Sequence, residues 1–509
     1  MSSRFPADSL PDPQDPRGDS AAKPRNARQT WFTRPVAVGA FVFLALMVIK
    51  FDTLTEPPAW DAAMSVHPAA LTLADNGFDY PDLLSMPTIL EGGPNTHSLS
   101  TYTALVAIAY TLFTPTTAVT VLHLLTFAMA GLTGAALVRF SSHFLPRRLA
   151  VAASLVSLAM PLVLTQFGMI YLDAPVLTAS TWAMVAAVER RWPAAAAFCM
   201  LATTVKPSGL ITAVAVGLYW AFMVRSPKRS LLVMLPSLLV FGLQSQTAIV
   251  PSSPSVAVLR RLARYSWTYV SLVPDVILII LAGTAAALLL ARRSSHQETD
   301  DLSGLMTAFL LVFIGMYATL WSVAYTTLPR YYIQILPLAL ITVFVAVFRQ
   351  FGQKTVAALM IGLSLLFAVN FDGDLYRWRN VNYFSLIERS DGYDDLLTMQ
   401  VAVASAICAL PEEIPVIYTA AERYRINYPD LGYADCPNRR DAALWGQGFP
   451  PLDDLPSPIY LTYEVPLLGG RWLEHLVDVA TSSPDWTVEV VDTIRDGAFE
   501  QEIYLLTRR

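Results

Sequence analysis

The chain has 509 residues, of which 54% are hydrophobic and only 15% are charged, against about 25% charged residues in ordinary soluble domains. The mean hydropathy is +0.46 and the formal net charge is −5, and no basic stripe with interleaved aromatic residues supports nucleic-acid binding. Composition therefore predicts a helical integral membrane protein, because open strands cannot satisfy their backbone hydrogen bonds in lipid.

Residues 1–34 are rich in Pro, Asp, Ser, Arg and Lys, which predicts a disordered tail. No apolar core precedes a small-residue cleavage site, so the tail is not interpreted as a signal peptide. Arg25, Arg28 and Arg34 precede the first apolar run, and the positive-inside bias therefore places the N-terminus in the cytoplasm.

Apolar runs near span length recur through residues 35–370 and predict an all-α polytopic domain with about 11 transmembrane helices in the cell membrane. Leu99–Phe113 is about 15 residues long and is stopped by Pro115, so it is interpreted as an interfacial helix. The predicted spans are Val36–Phe51, Ala118–Phe140, Ala150–Gln166, Ala174–Val188, Pro193–Val205, Ser208–Val224, Leu231–Val250, Val270–Leu290, Leu305–Val323, Ile333–Phe348 and Val356–Asn370.

The first external loop, residues 52–116, is unusually long and acidic for a connection between two spans. Asp61 follows shortly after a span, where a carboxylate can act as a general base toward an acceptor hydroxyl or amine. It can equally cap a helix predicted over Ala62–Asp75. His67 and His97 lack a short metal-ligand spacing, so we expect surface or capping roles for them.

Two charged residues stand at predicted outer ends of spans. Asp173, in QFGMIYLDAP, either starts the next helix, where the dipole favours an acid, or serves a function at the membrane edge. Lys206, in TTVKPSG, runs against the positive-inside bias. It suits a phosphate oxygen as a point charge, or it extends to the lipid headgroups.

The remaining external basic residues are Arg260, Arg261 and Arg264 in VLRRLARYSW and Arg330 in LPRYYIQ. Guanidinium groups bind phosphate in bidentate fashion. The first three can instead bind anionic headgroups non-specifically, and the tyrosines after Arg330 are typical of an interfacial aromatic belt. Acids in one external loop and bases in several others together outline a site for an anionic, lipid-linked substrate.

From residue 371 to 509 the chain becomes soluble in character and predicts a small extracytoplasmic α/β domain. Two of the three cysteines, Cys408 and Cys436, fall here and could form a disulfide outside the cytoplasm. Predicted strands are Pro415–Thr419, Ile459–Glu464, Trp486–Ile494 and Glu502–Thr507, and predicted helices are Leu397–Ala409 and Trp472–Thr481.

The ordered set of motifs resembles the GT-C superfamily of polyprenyl-phosphate-sugar glycosyltransferases, near the protein O-mannosyltransferase and lipid A aminoarabinose transferase group. The motifs that carry the resemblance are Trp60-Asp61, the helix before the second long span, Arg147-Arg148, QFGMIYLDAP, ATTVKPSGL and LPRYYIQILPL. The resemblance implies inverting transfer of a sugar from an undecaprenyl- or dolichyl-phosphate carrier to an extracytoplasmic glycan, lipid or protein.

The resemblance also implies roles for individual residues. Asp61 would be the general base, and Asp173 a second external acid that shapes the acceptor or metal region. Cations would bind the donor phosphate: Lys206 and Arg330, with Arg260, Arg261 and Arg264 on a loop that closes over it. Trp60, Tyr171 and Tyr331 would line the donor and acceptor pocket. Many relatives carry Asp-Glu where this chain has Asp61-Ala62, which leaves dependence on Mg²⁺ or Mn²⁺ open; no other cofactor is predicted.

Two other classes of function compete with an enzyme. A transporter or flippase of lipid-linked saccharides would carry charges within its spans and show paired repeats, whereas the charges here stand at span ends and no repeat is evident. A non-catalytic assembly or sensor protein would use its external domain to bind cell-wall glycans. The sequence specifies neither the sugar nor the acceptor.

Overall fold

The computed structural model describes most of the two regions that the sequence predicts. The described residues are 27–58, 62–87, 95, 97–244, 274–293, 297–320, 329–369, 390–418, 424–426, 428–434, 436, 452–463, 470–496 and 499–509.

The first region is helical. Its helices are α1 Ala27–Ile49, α2 His67–Asp75, α3 Tyr80–Ser85, α4 Thr101–Leu112, α5 Pro115–Ser141, α6 Arg147–Leu158, α7 Pro161–Gln166, α8 Asp173–Val188, α9 Trp192–Val205, α10 Leu210–Phe222, α11 Pro227–Gln244, α12 Pro274–Arg293, α13 Gln297–Leu320, α14 Leu336–Phe351 and α15 Gln353–Val369. A short π-helix at Ala62–Val66 precedes α2.

Three predicted segments differ from these helices. The helix expected over Ala62–Asp75 divides into the π-helical turn and α2. The span expected over Ala150–Gln166 is two helices, because Pro161 lacks the backbone N–H that would continue α6. Helix α1 begins at Ala27, inside the segment that the composition predicted to be disordered.

The helices pack around one apolar core. Helix α5 lies between α1 and α8, α8 packs on α9, and α9 and α10 pack on α11, while α12 packs on α14. The outer faces of several of these helices carry exposed apolar side chains, among them Val48, Leu239 and Leu365, each more than 60% exposed. Exposed apolar surface on this scale is typical of a face that contacts lipid or another protein.

Among the described residues, helix length identifies fewer candidate membrane spans than the apolar runs of the sequence predict. Within the described residues, α5 is the one helix long and apolar enough to cross a bilayer, and shorter apolar helices of 10–17 residues accompany it. The count of eleven spans and the orientation of the termini therefore stay predictions.

The C-terminal region is a small α/β unit, as the sequence predicts. Its helices are α16 Ser390–Ala409 and α17 Gly470–Ser482, and its strands are β1 Val416–Ile417, β2 Ile459–Thr462, β3 Trp486–Asp496 and β4 Phe499–Arg508. The strand order is β1-β2-β4-β3, with β1 parallel to β2 and the other pairs antiparallel. A disulfide joins Cys408 of α16 to Cys436.

Candidate functional site

Three charged residues from distant parts of the chain meet in one buried cluster. The Lys206 Nζ donates a hydrogen bond of 2.8 Å to Asp173 Oδ1, and the Arg330 Nε lies 3.4 Å from Asp173 Oδ2. Their side chains are only 9%, 4% and 1% exposed for Lys206, Asp173 and Arg330. Two cations thus share one carboxylate, and the three charges sum to +1.

Tyr171 forms one wall of this cluster. The Lys206 Nζ lies 5.2 Å and the Arg330 Cζ 5.4 Å from the centroid of the Tyr171 ring. A cation this close to an aromatic face is attracted by the ring's negative electrostatic potential. The ring therefore helps to hold both cations in place.

Local sequence explains where Asp173 and Lys206 lie. Asp173 is the first residue of α8, where the positive end of the helix dipole favours a carboxylate. Helix α9 ends at Val205, and Pro207 continues as a single 3₁₀ turn that ends at Gly209. A Cβ at Gly209 would lie 2.2 Å from the backbone of Ala202, so only glycine lets this turn fold back onto α9.

A polar network ties the segment of Arg330 to the turn after Lys206. Arg330 lies in the 3₁₀ turn Pro329–Tyr332, and the Gln334 side chain donates to the Ser208 backbone oxygen at 3.2 Å. The Thr212 hydroxyl lies 2.9 Å from the Gln334 side-chain oxygen and 2.8 Å from the Ser180 hydroxyl. Helices α8 and α10 and the Arg330 turn are thereby held in one arrangement.

The first loop and helix α11 both contact the end of α9, next to Lys206. The Ser100 hydroxyl donates to the Val205 backbone oxygen at 2.5 Å, and the Gln244 side chain donates to the Thr204 oxygen at 2.9 Å. These bonds satisfy carbonyl groups that the end of α9 leaves without helical partners. Lys206 is therefore positioned by the loop as well as by its own helix.

His97 lies near the cluster, whereas the sequence predicts a surface or capping role for it. It is partly buried, and its backbone lies in the left-handed region at φ 54°. Burial, followed by the positive charges of Lys206 and Arg330, lowers the pKa of His97 to about 4, against the opposing effect of Asp173. His97 is thus neutral at pH 7 beside the cations, and no local sequence signal indicated that position.

His67 is also buried, whereas the sequence predicts a surface or capping role for it. It is completely buried, its Nε2 donates to the Ile170 backbone oxygen at 3.1 Å, and its Nδ1 accepts from the Tyr110 hydroxyl at 2.8 Å. The carbonyl can only accept, so the neutral ring carries its proton on Nε2. Burial lowers the pKa of His67 to about 4. The residue links α2 to the segment that carries Tyr171 and Asp173.

Several residues predicted for the site fall outside the described residues. These are Trp60, Asp61, Arg260, Arg261 and Arg264, and the same holds for the side chain of Tyr331. The structure therefore brings together Asp173, Lys206, Arg330 and Tyr171 from the predicted set.

A buried cluster of this kind is suited to binding an anion. Burying ions costs free energy that their mutual attraction repays only in part, so such a cluster is weak evidence for a role in stability. Arginine and lysine are also the residue types that most often bind phosphate oxygens. Among the described residues, no group of three His, Cys, Asp or Glu side chains is placed to hold a metal ion.

Comparison with known proteins gives low-identity structural neighbours. No protein-family model matches the chain, and no curated protein sequence matches it. The chain is similar to ArnT from Cupriavidus metallidurans bound to undecaprenyl phosphate, at 12% identity and a TM-score of 0.47, over 94% of this chain and 98% of that one. The apo ArnT structure gives 13% identity, a TM-score of 0.48 and the same coverage.

A second neighbour is the oligosaccharyltransferase AglB from Archaeoglobus fulgidus in complex with an inhibitory peptide and a dolichol-phosphate. Its identity is 12% and its TM-score 0.43, over 82% of this chain and 61% of that one. ArnT and AglB belong to the GT-C superfamily, the superfamily that the sequence resembles. Identities of 12–13% and TM-scores below 0.5 do not assign a function to this chain, so its function is inferred below from the cluster.

Proposed function

We propose that this protein is a membrane glycosyltransferase that moves a sugar from a polyprenyl-phosphate carrier to an extracytoplasmic acceptor. The observation that carries the proposal is the buried cluster in which Lys206 and Arg330 share Asp173. A charged group inside an apolar helical domain is costly and usually functional. The apolar side chains exposed on the helices support the proposal that a lipid bilayer surrounds the cluster.

The reaction is a single inverting displacement. Asp61 removes the proton from an acceptor hydroxyl or amine, and the freed electron pair forms a bond to the anomeric carbon of the sugar. The bond from that carbon to the phosphate oxygen breaks, and its electrons stay on the oxygen. The products are the glycosylated acceptor and free polyprenyl phosphate.

The charges of the cluster suit that leaving group. The donor is a phosphodiester with one negative charge, and the departing polyprenyl phosphate gains a second. Lys206 and Arg330 supply two positive charges beside the single negative charge of Asp173. Preorganised cations of this kind stabilise charge that develops in the transition state.

Asp173 is assigned here to orienting the two cations. Its two carboxylate oxygens face different partners, which holds Lys206 and Arg330 apart by a fixed spacing. A phosphate that enters between them can bind both without a large rearrangement. The resemblance had suggested a role near the acceptor or a metal for this acid, and its cation partners favour the role of a counter-ion.

The first test measures transfer directly. Purified full-length protein in lipid nanodiscs is incubated with candidate polyprenyl-phosphate sugars, and release of free polyprenyl phosphate is followed together with glycosylated acceptor. Asp61→Asn is expected to reduce transfer by about 1,000-fold or more while leaving donor binding intact, because it removes the base without removing the cations.

The matched control is Asp79→Asn in the same loop. Asp79 caps α3 through the backbone N–H of Asp82, and asparagine caps a helix as well as aspartate does. This variant should keep full activity. Undiminished transfer by Asp61→Asn would rule out the proposed base, and net movement of intact donor across the bilayer without phosphate release would favour a flippase.

A further inference from the structure

The C-terminal domain contacts the chain just before Asp61. The Tyr433 hydroxyl donates a hydrogen bond of 2.8 Å to the Pro58 backbone oxygen, and the pair is buried. Tyr433 itself is 3% exposed, and burial raises the pKa of its hydroxyl to about 12, so it remains a donor at any physiological pH. This bond joins residues from opposite ends of the sequence.

The same short stretch of the first loop is held at a second carbonyl. The His123 Nε2 of α5 lies 3.1 Å from the Glu56 backbone oxygen. Two consecutive attachment points, one from the helical domain and one from the C-terminal domain, therefore fix residues 56–58. Proline at positions 57 and 58 limits the remaining backbone freedom.

The residues on the other side of Asp61 pack into the same core as Tyr433. Ala62, Ala63 and Val66 are 3%, 0% and 0% exposed, and they share one apolar cluster with Leu431 and Tyr433. Residues 428–434, which we call the clamp segment, thus bind Pro58 directly and share an apolar core with residues 62–66.

The clamp segment is itself supported from the C-terminal domain. The guanidinium of Arg425, which is fully buried, lies 5.6 Å from the centroid of the Tyr433 ring. Gly432 has φ +86°, a conformation that side chains other than glycine rarely adopt, and it turns the chain after the 3₁₀ turn Pro429–Leu431. The disulfide from Cys436 to Cys408 ties the end of the clamp segment to α16.

We propose that Tyr433 is a positioning residue, and that the C-terminal domain serves the reaction by holding residues 56–58, the stretch that precedes Asp61 in the sequence. This inference rests on the proposed function, since it assigns Tyr433 a task only if Asp61 is the base. It gives the C-terminal domain a role that none of its own motifs indicates.

The test is Tyr433→Phe in the full-length protein. Phenylalanine keeps the packing but leaves the Pro58 carbonyl without its donor. The kcat for transfer should fall by roughly 10- to 100-fold, because a misplacement of about 1 Å at a catalytic group costs up to about 100-fold. The KM for the donor should stay within about twofold, since Lys206 and Arg330 are untouched.

The matched control is Tyr463→Phe, in the same domain, where the ring stacks on Tyr504 at 5.9 Å. It should leave both constants unchanged. Hydrogen exchange supplies a readout that is independent of activity. Amides of residues 62–66 should exchange about fivefold to tenfold faster in Tyr433→Phe than in wild type, as expected for loss of one buried hydrogen bond.

These readouts separate the two proposals. Full activity of Asp61→Asn would overturn the proposed function even if exchange at residues 62–66 rises in Tyr433→Phe. An inactive Asp61→Asn together with an unchanged kcat in Tyr433→Phe would overturn the positioning role alone. A rise in donor KM with kcat retained would also contradict it, because that would place Tyr433 at the donor site.

A second perturbation keeps the inference testable if Tyr433→Phe does not fold. Folded wild-type protein is treated with dithiothreitol, which should reduce the partly exposed Cys408–Cys436 bridge and loosen the clamp segment. We expect kcat to fall while donor KM holds, and a Cys408→Ser/Cys436→Ser double variant to be insensitive to reductant. Unchanged kcat after complete reduction would contradict a role for the clamp.

Discussion

The two ends of helix α8 carry ionic clusters of different design. At its first residue, Asp173 is shared by Lys206 and Arg330, and all three side chains are less than 10% exposed. After its last residue, about 24 Å away at 1.5 Å per residue, Glu189 forms a bidentate pair with Arg139, whose side chain is 17% exposed.

The Glu189 cluster has more partners, and its side chains are more exposed. Arg191 lies 3.3 Å and His143 3.7 Å from Glu189, and the neighbouring Arg190 pairs with Asp301 at 2.6 Å. Glu189 lies beside two arginines and Asp301 beside one, and these pairs join the ends of helices. The Asp173 cluster differs in its burial, since all three of its charged side chains are less than 10% exposed. Exposed ion pairs add little to stability because water screens them, whereas charges buried in an apolar helical domain are costly and more often functional.

The largest effect is expected from Arg330→Lys. Lysine keeps the positive charge beside Asp173 but lacks the planar set of N–H donors with which arginine binds a phosphate in bidentate fashion. We expect kcat/KM for transfer to fall by about 100-fold, with little loss of stability. Arg190→Lys, the matched change in the Glu189 cluster, should alter kcat/KM by less than about twofold. Equal losses in the two variants would erase the distinction between the clusters.

An intermediate effect is expected from Asp173→Asn. Removing the carboxylate raises the summed charge of the three side chains from +1 to +2, so polyprenyl phosphate should bind about tenfold more tightly, as a change of about 1.4 kcal/mol would give. Release of that product should slow, and kcat should fall together with KM. Equilibrium binding of the lipid phosphate to purified variant and wild type measures this. Weaker binding by the variant would show that Asp173 contributes in a way other than balancing charge.

The smallest effect is expected at Glu189. Burial alone would raise its pKa, but the nearby His143, the hydrogen bonds from Arg139 and the charges of Arg139 and Arg191 lower the pKa of Glu189 from 4.5 to about 2. A carboxyl whose pKa is lower in the folded state stabilises the fold above its unfolded pKa. That contribution is lost as pH falls from about 4.5 toward about 2.

Thermal unfolding measures the Glu189 contribution. Glu189→Gln should lower stability by about 1 kcal/mol at pH 7, since solvent screens a partly exposed pair, and its difference from wild type should vanish near pH 2. Transfer activity at pH 7 should be unchanged. If the variant unfolds like wild type at pH 7 but loses transfer activity, Glu189 has a functional role and not a structural one.

Much of the helical region was predictable because hydropathy is a local property. The apolar runs that predicted spans correspond closely to helices such as α5, α9 and α14, and the strand segments of the C-terminal domain form a sheet. The incorrect predictions also have local causes. Pro161 divides a predicted single span, because apolar composition does not reveal where a backbone hydrogen bond is missing.

The burial of His67 and His97 could not be predicted from their neighbours in the sequence. His67 and His97 lie in a polar loop, and their neighbours in sequence suggest exposure to solvent. Burial of His67 depends on Tyr110 and Ile170, and the environment of His97 on Lys206 and Arg330. Neither set of partners can be read from spacing, since the chain returns to the loop only after several helices.

The sequence by itself determined that the chain is apolar and helical with a small α/β domain, and that Asp173, Lys206 and Arg330 stand as isolated charges beside apolar runs. Those properties follow from residue type and short-range order. Only the tertiary structure decided that the three charges share one buried cluster and that Tyr433 reaches Pro58. Contacts between residues so far apart in the chain depend on how whole helices pack, which no local pattern specifies.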